Sequence, residues 1–155
     1  MSGVFLIVSN FDDMNTQNLL QPTKGGYPHI TLCYSGKQIT EDALVTIGGK
    51  CMQHIFANDF ERKMTLRTVR VNTFFEEKSQ KYRHDVLIDL EHDAVKRIED
   101  LRIRTIPQSD IGKVTARLPH ITHSIHYEAR LADLAAAELR EKLPVSVFIT
   151  GFTID

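Results

Sequence analysis

The chain has 155 residues, 42% of them hydrophobic and 25% charged, and a net charge of −1. This is the composition of a folded domain large enough to bury a core without disulfides or metals. It excludes a long nucleic-acid track, which shows as a basic excess, but it leaves room for a small anion held by a local positive site.

The first apolar run, Val4–Ser9, is rich in β-formers and reads as a buried strand. It lacks basic residues before it and is followed by Asp12 and Asp13, so it does not resemble a signal peptide. Asn10–Asn15 is turn-like, Thr16–Leu20 has the pattern of a short helix, and Pro22–Pro28 is a breaker-rich loop. His29–Tyr34 reads as a strand stopped by Ser35-Gly36. A helix is expected from the candidate cap Thr40 to about Ile47, where Gly48-Gly49 interrupts the pattern; Lys50–Ala57 is ambiguous. Met64–Phe75 and Tyr82–Leu90 alternate and form a candidate hairpin around a charged turn. Asp93–Arg102 carries Val95, Ile98 and Leu101 at helical spacing. Ile106–Pro119 lacks periodicity and reads as a loop. His120–Tyr127 reads as a strand, Leu131–Leu143 as a helix stopped before Pro144, and Val145–Ile154 as a closing strand. Mixed helices and hairpin-like strand pairs point to an α+β fold with antiparallel sheet. With no linker in evidence, residues 1–155 are expected to form one domain.

Cys33 and Cys51 belong to no Cys-x-x-Cys pair and read as free, buried thiols of a reducing compartment. No apolar run approaches the roughly 20 residues of a membrane helix. The expectation is a cytosolic monomer with no membrane partner.

The word Pro-His-Ile-Thr occurs twice, at 28–31 and 119–122, each time after a loop and at the start of a strand. Side chains alternate along a strand, so residues two apart share a face. His29 and Thr31 therefore project together, as do His120 and Thr122, while Ile30 and Ile121 anchor the opposite face. Two such strands side by side offer two imidazoles and two hydroxyls to one ligand. That set suits phosphodiester chemistry. A neutral His takes the nucleophile's proton, a protonated His supplies the leaving group's proton, and the hydroxyls hold phosphate oxygens. No metal or cofactor is called for.

These residues resemble the two-histidine phosphoesterase superfamily, which includes RNA ligase-like phosphoesterases and cyclic phosphodiesterases. Its pattern is His, apolar, Thr or Ser, apolar, once in each lobe. His29-Ile30-Thr31-Leu32 fits throughout; in His120-Ile121-Thr122-His123 a histidine takes the last apolar place. The likeness covers nearly the whole chain, although residues 10–28 form a shorter connection than many relatives use. The resemblance implies a two-lobed, pseudo-symmetric α+β fold with antiparallel sheets and a central cleft. It implies hydrolysis of a small nucleotide or short oligonucleotide: a 2′,3′-cyclic phosphate, a 2′–5′ linkage or a cyclic messenger. Some viral members degrade nucleotide signals of host defence, which would place such a protein in the host cytosol.

Lys24, Arg117 and Tyr127 are further candidate substrate contacts: two cations in the loops before the motifs, and an aromatic able to stack on a base. Tyr34 reads as core. His126 shares the face of His120 if the strand continues regularly, and His120, His123 and His126 together raise a metal-dependent alternative. His54, His84 and His92 read as surface residues. A non-catalytic nucleotide-binding module is the other alternative, although a binder has no need of two titrating groups.

Overall fold

The computed structural model describes residues 2–9, 28–36, 38–57 and 60–155. Among these residues it is an α+β fold of seven antiparallel strands and three α-helices. The strands are β1 (Ser2–Ser9), β2 (His29–Ser35), β3 (Lys63–Glu76), β4 (Lys81–Leu90), β5 (Val114–Thr115), β6 (His120–His126) and β7 (Val145–Ile154). The helices are α1 (Glu41–Ile55), α2 (His92–Thr105) and α3 (Ala129–Lys142). Among the described residues no helix is long and apolar enough to cross a membrane. The short helix expected at Thr16–Leu20 lies outside the described residues.

Hydrogen-bonded neighbours run β1-β7-β3-β4-β6-β2-β5, and β2 also pairs back to β1. The ladder β1-β7-β3-β4-β6-β2 therefore closes into a ring. Its seams are unequal. The β3–β4 hairpin is paired from Leu66–Leu90 out to Glu76–Lys81, whereas β2 and β6 meet through one register pair, Ile30–Ile121. The helices divide between the two halves: α1 and α2 pack on β1, β7 and β2, and α3 packs on β3, β4 and β6.

The core lies between the strands and these helices. Leu6, Ile30, Leu66, Ile88, Ile121 and Val147 point into it from the sheet, against Leu44, Ile47 and Ile98 of the helices. Ala132 and Ala136, one turn apart and buried, let α3 lie close to the strands. Cys33 and Cys51 are buried free thiols, and the Cys51 Sγ donates to Thr105 Oγ1 at 3.4 Å.

Thr40 caps α1 as its sequence suggests, accepting the Ala43 N–H at 3.1 Å. The helix does not stop at Gly48-Gly49; it continues to Ile55. Packing accounts for the glycine. A Cβ on Gly48 would lie 2.3 Å from two ring carbons of Phe152 on β7, so the missing side chain is the space that lets strand and helix meet. Ile106–Pro119 is also more structured than a loop, with a 3-10 turn at Ile111–Lys113 and β5 paired to Tyr34 and Ser35.

Candidate active site

The two motifs come together through the narrow seam of the ring. Antiparallel pairing about Ile30–Ile121 sets each residue before one isoleucine opposite the residue after the other. His29 thus faces Thr122 across the seam, and Thr31 faces His120. Both isoleucines are fully buried, so the four polar side chains take the opposite face. The two histidines lie on a diagonal of the pairing, where neighbours stand about 7–8 Å apart and their Cβ atoms somewhat closer. That spacing admits one phosphate group between two imidazoles.

Each motif strand then carries a β-bulge at the same place. In β2, Phe5 of β1 pairs with Thr31 and Val4 with Cys33, so Leu32 is skipped. In β6, Leu87 of β4 pairs with Thr122 and Val86 with Ser124, so His123 is skipped. The residue after the motif threonine is the extra one in both strands. This repeats the pseudo-symmetry of the sequence in the backbone, and it reverses side-chain parity beyond each threonine.

Two expectations change as a result. Tyr34, read as core, lines the cleft; its hydroxyl accepts from Thr31 Oγ1 at 3.4 Å and its ring stands edge-on to Phe5. His126, expected on the face of His120, pairs instead with His84 and contacts Ser124 Oγ at 2.8 Å. His84 is not a surface residue: it is 9% exposed and hydrogen-bonds Thr73 Oγ1 at 2.8 Å. His123 Nδ1 lies 3.3 Å from the same Ser124 hydroxyl. Among the described residues no three His, Cys, Asp or Glu side chains gather as metal ligands.

The cleft has a volume of about 410 Å³. Thr31, His120 and Thr122 line it, with Arg117, Leu118 and Pro119 from the loop before β6. His29 is not among the residues that line it; it lies two residues before Thr31 on the same face of β2, its ring edge-on to Phe5 at 4.9 Å between centroids. His120 Nδ1 lies 2.9 Å from the Leu118 carbonyl. A carbonyl only accepts, so in this contact Nδ1 carries the proton and Nε2 is the nitrogen left over.

The β3–β4 hairpin supplies the rest of the wall: Arg70, Asn72 and Phe74 from one strand, Arg83, Asp85 and Leu87 from the other. Two of its arginines are already paired. Arg70 Nε lies 2.9 Å from both Asp89 oxygens, and Arg83 binds Asp85 through two bonds of 2.7 and 3.0 Å and Glu76 through one of 3.0 Å. These partners hold the Arg83 guanidinium firmly charged, the Asp85 bonds contributing most. Its guanidinium carbon also sits 5.3 Å from the centre of the exposed Phe74 ring. The last cation is Arg102 of α2, whose Nε and Nη2 donate to the carbonyls of Leu32 at 2.6 Å and Thr31 at 3.0 Å.

Of the further candidate contacts, Arg117 reaches the cleft. Tyr127 does not line it; its hydroxyl donates to Glu76 Oε1 at 3.1 Å, a bond that raises its pKa. Lys24 lies outside the described residues. Sequence reasoning overlooked Arg102, Arg70, Asn72 and Asp85. Arg102 alone left a trace: it occupies the stripe of Ile98, Leu101 and Thr105, where an arginine is out of place on a core-facing helix.

The fold is similar to that of Usb1 from Kluyveromyces marxianus. One Usb1 structure superposes with a TM-score of 0.55 at 12% identity, over 99% of this chain and 96% of that one. A second, containing uridine monophosphate, also gives 0.55, at 11% identity over 99% and 97%. At such identities the likeness is one of fold. No family model matches the sequence, and no curated protein does.

Proposed function

We propose that this chain is a metal-independent phosphodiesterase acting on small nucleotides. The observation that carries the reading is the crossed pairing about Ile30–Ile121, which brings the two motif strands side by side, with Thr31, His120 and Thr122 on the cleft and His29 beside Thr31 on β2. Each element of the reaction then has a candidate. One imidazole takes the proton of the attacking water or ribose 2′-hydroxyl. The other donates to the leaving oxygen, and Thr31 and Thr122 hydrogen-bond the non-bridging oxygens as charge builds on them. His120, with Nδ1 held by a carbonyl, acts through Nε2.

The likeness to a protein whose structure contains uridine monophosphate supports a nucleotide as the ligand. Phe74 is placed to stack on a base, with Asn72 and Asp85 beside it to hydrogen-bond sugar or base. A net charge of −1 favours a short substrate over long RNA. The substrates we propose are a 2′,3′-cyclic phosphate, a 2′–5′ oligonucleotide or a cyclic mono- or oligonucleotide messenger, met in the cytosol.

The test is turnover of a panel of these compounds in EDTA. His29→Ala and His120→Ala are each expected to lose about 10²–10⁴-fold in kcat, with the double variant little worse than either. A folded protein that turns over no member, or single variants as active as wild type, would refute the reading. Tight binding with the nucleotide recovered intact would indicate a binder instead.

A further inference from the structure

Arg102 is charged, buried and unmatched. It is 9% exposed, yet none of the ion pairs among the described residues includes it. The two hairpin arginines of the same cleft are each matched by a carboxylate. Arg102 has only two neutral carbonyls, where the β2 bulge interrupts the ladder. Burying a cation without a counter-charge is costly, and carbonyl dipoles offset only part of that cost. The strain shows in the guanidinium's acidity, which burial pushes below the usual arginine value against the pull of Cys33 and Glu99.

The remaining donors are in the right place. A guanidinium has five N–H groups, and the two carbonyls engage two of them. Arg102 lines the same cleft as Thr31, His120 and Thr122, and it grips the backbone of Thr31 itself. A planar fork held along its Nε/Nη2 edge, with the Nη1 protons and the second Nη2 proton left over, matches a phosphate, which can accept two parallel hydrogen bonds.

We propose that Arg102 is the phosphate-binding cation of this cleft, receiving the substrate's anionic oxygens on the N–H groups left over from Thr31 and Leu32. Its grip on the Thr31 carbonyl keeps the bound phosphate in register with the motif threonine. The proposal rests on the phosphodiesterase reading only for the anion's being a phosphodiester; the anion site stands on the geometry.

The test is calorimetric titration of uridine monophosphate and of uridine into wild type, Arg102→Lys and Arg102→Gln. Loss of charge-assisted bonds in Arg102→Gln should weaken the monophosphate about 10- to 100-fold and leave uridine unchanged, with Arg102→Lys between. A merely structural arginine would weaken both ligands equally, and that result would overturn the proposal. A second measurement needs no variant. On adding inorganic phosphate to the wild-type protein, the Arg102 Nε–H resonance should shift saturably; a silent Arg102, or a protein binding neither phosphate nor the monophosphate, also overturns it. Failure of the phosphodiesterase reading would look different: intact phosphate discrimination by Arg102, but no turnover of any diester.

Discussion

Two adjacent glycines in α1 should respond to the same substitution with opposite signs. Replacing a helical glycine by alanine gains about 0.5–1 kcal/mol from chain entropy and propensity. At Gly49 nothing lies within 4 Å of the new methyl, so Gly49→Ala should keep that gain. At Gly48 the methyl would stand 2.3 Å from Phe152 Cδ2 and Cε2, where ordinary contact begins at 3.4 Å. The ring, packed on the core from β7, must retreat by about 1 Å or the helix must lift, and overpacking of this kind costs about 1–3 kcal/mol, occasionally more. The clash outweighs the propensity gain, so Gly48→Ala should be destabilised by up to about 2 kcal/mol, while Gly49→Ala is stabilised. For a domain of this size the corresponding melting shifts are about 2–4 °C per kcal/mol. Urea unfolding with an unchanged m-value is the assay. In a Phe152→Ala background the Gly48 penalty should vanish, which separates a steric cause from a helix-wide one. If Gly48→Ala matched or exceeded Gly49→Ala in stability, the packing account of this helix would be wrong.

Burial holds the Cys51 thiol up at about 11, from an ordinary value of 9.0. Its protonated form is therefore favoured by the fold: the stabilisation is complete below about pH 9 and is lost as pH rises toward 11. Urea midpoints from pH 8 to 11 should fall less steeply for Cys51→Ala than for wild type, and equal slopes would count against it. Phe74→Ala should raise KM for a base-bearing substrate about tenfold with stability unchanged, as expected for a stacking platform on an exposed face; unchanged kinetics would remove Phe74 from the site.

Strand parity carried much of this site. Alternation within Pro-His-Ile-Thr was enough to put His with Thr and to send Ile30 and Ile121 inward, because those residues precede the irregularities. Beyond each threonine the same rule failed, for one reason in both strands. A bulge adds a residue without a signature in composition, so Tyr34 moved into the cleft and His126 moved out of it. Arg102 was hidden for another reason. It belongs to a helix distant in the chain, and only tertiary packing places it against Thr31. Gly48 was misread because a gap in a helix looks the same in sequence whether it ends the helix or admits a neighbour.

The ring of strands has one further consequence. At the seam between the motifs it is held by the Ile30–Ile121 pair, so the rest of the circuit must set how far apart the two motif strands stand. The strand that completes this circuit is β7, which pairs with β1 on one edge and β3 on the other, yet contains no residue of the cleft. It works as the keystone of an arch whose opening is the cleft. Substitution of Val147 or Ile149, neither of which lines the cleft, is therefore expected to alter the spacing of the two motif strands.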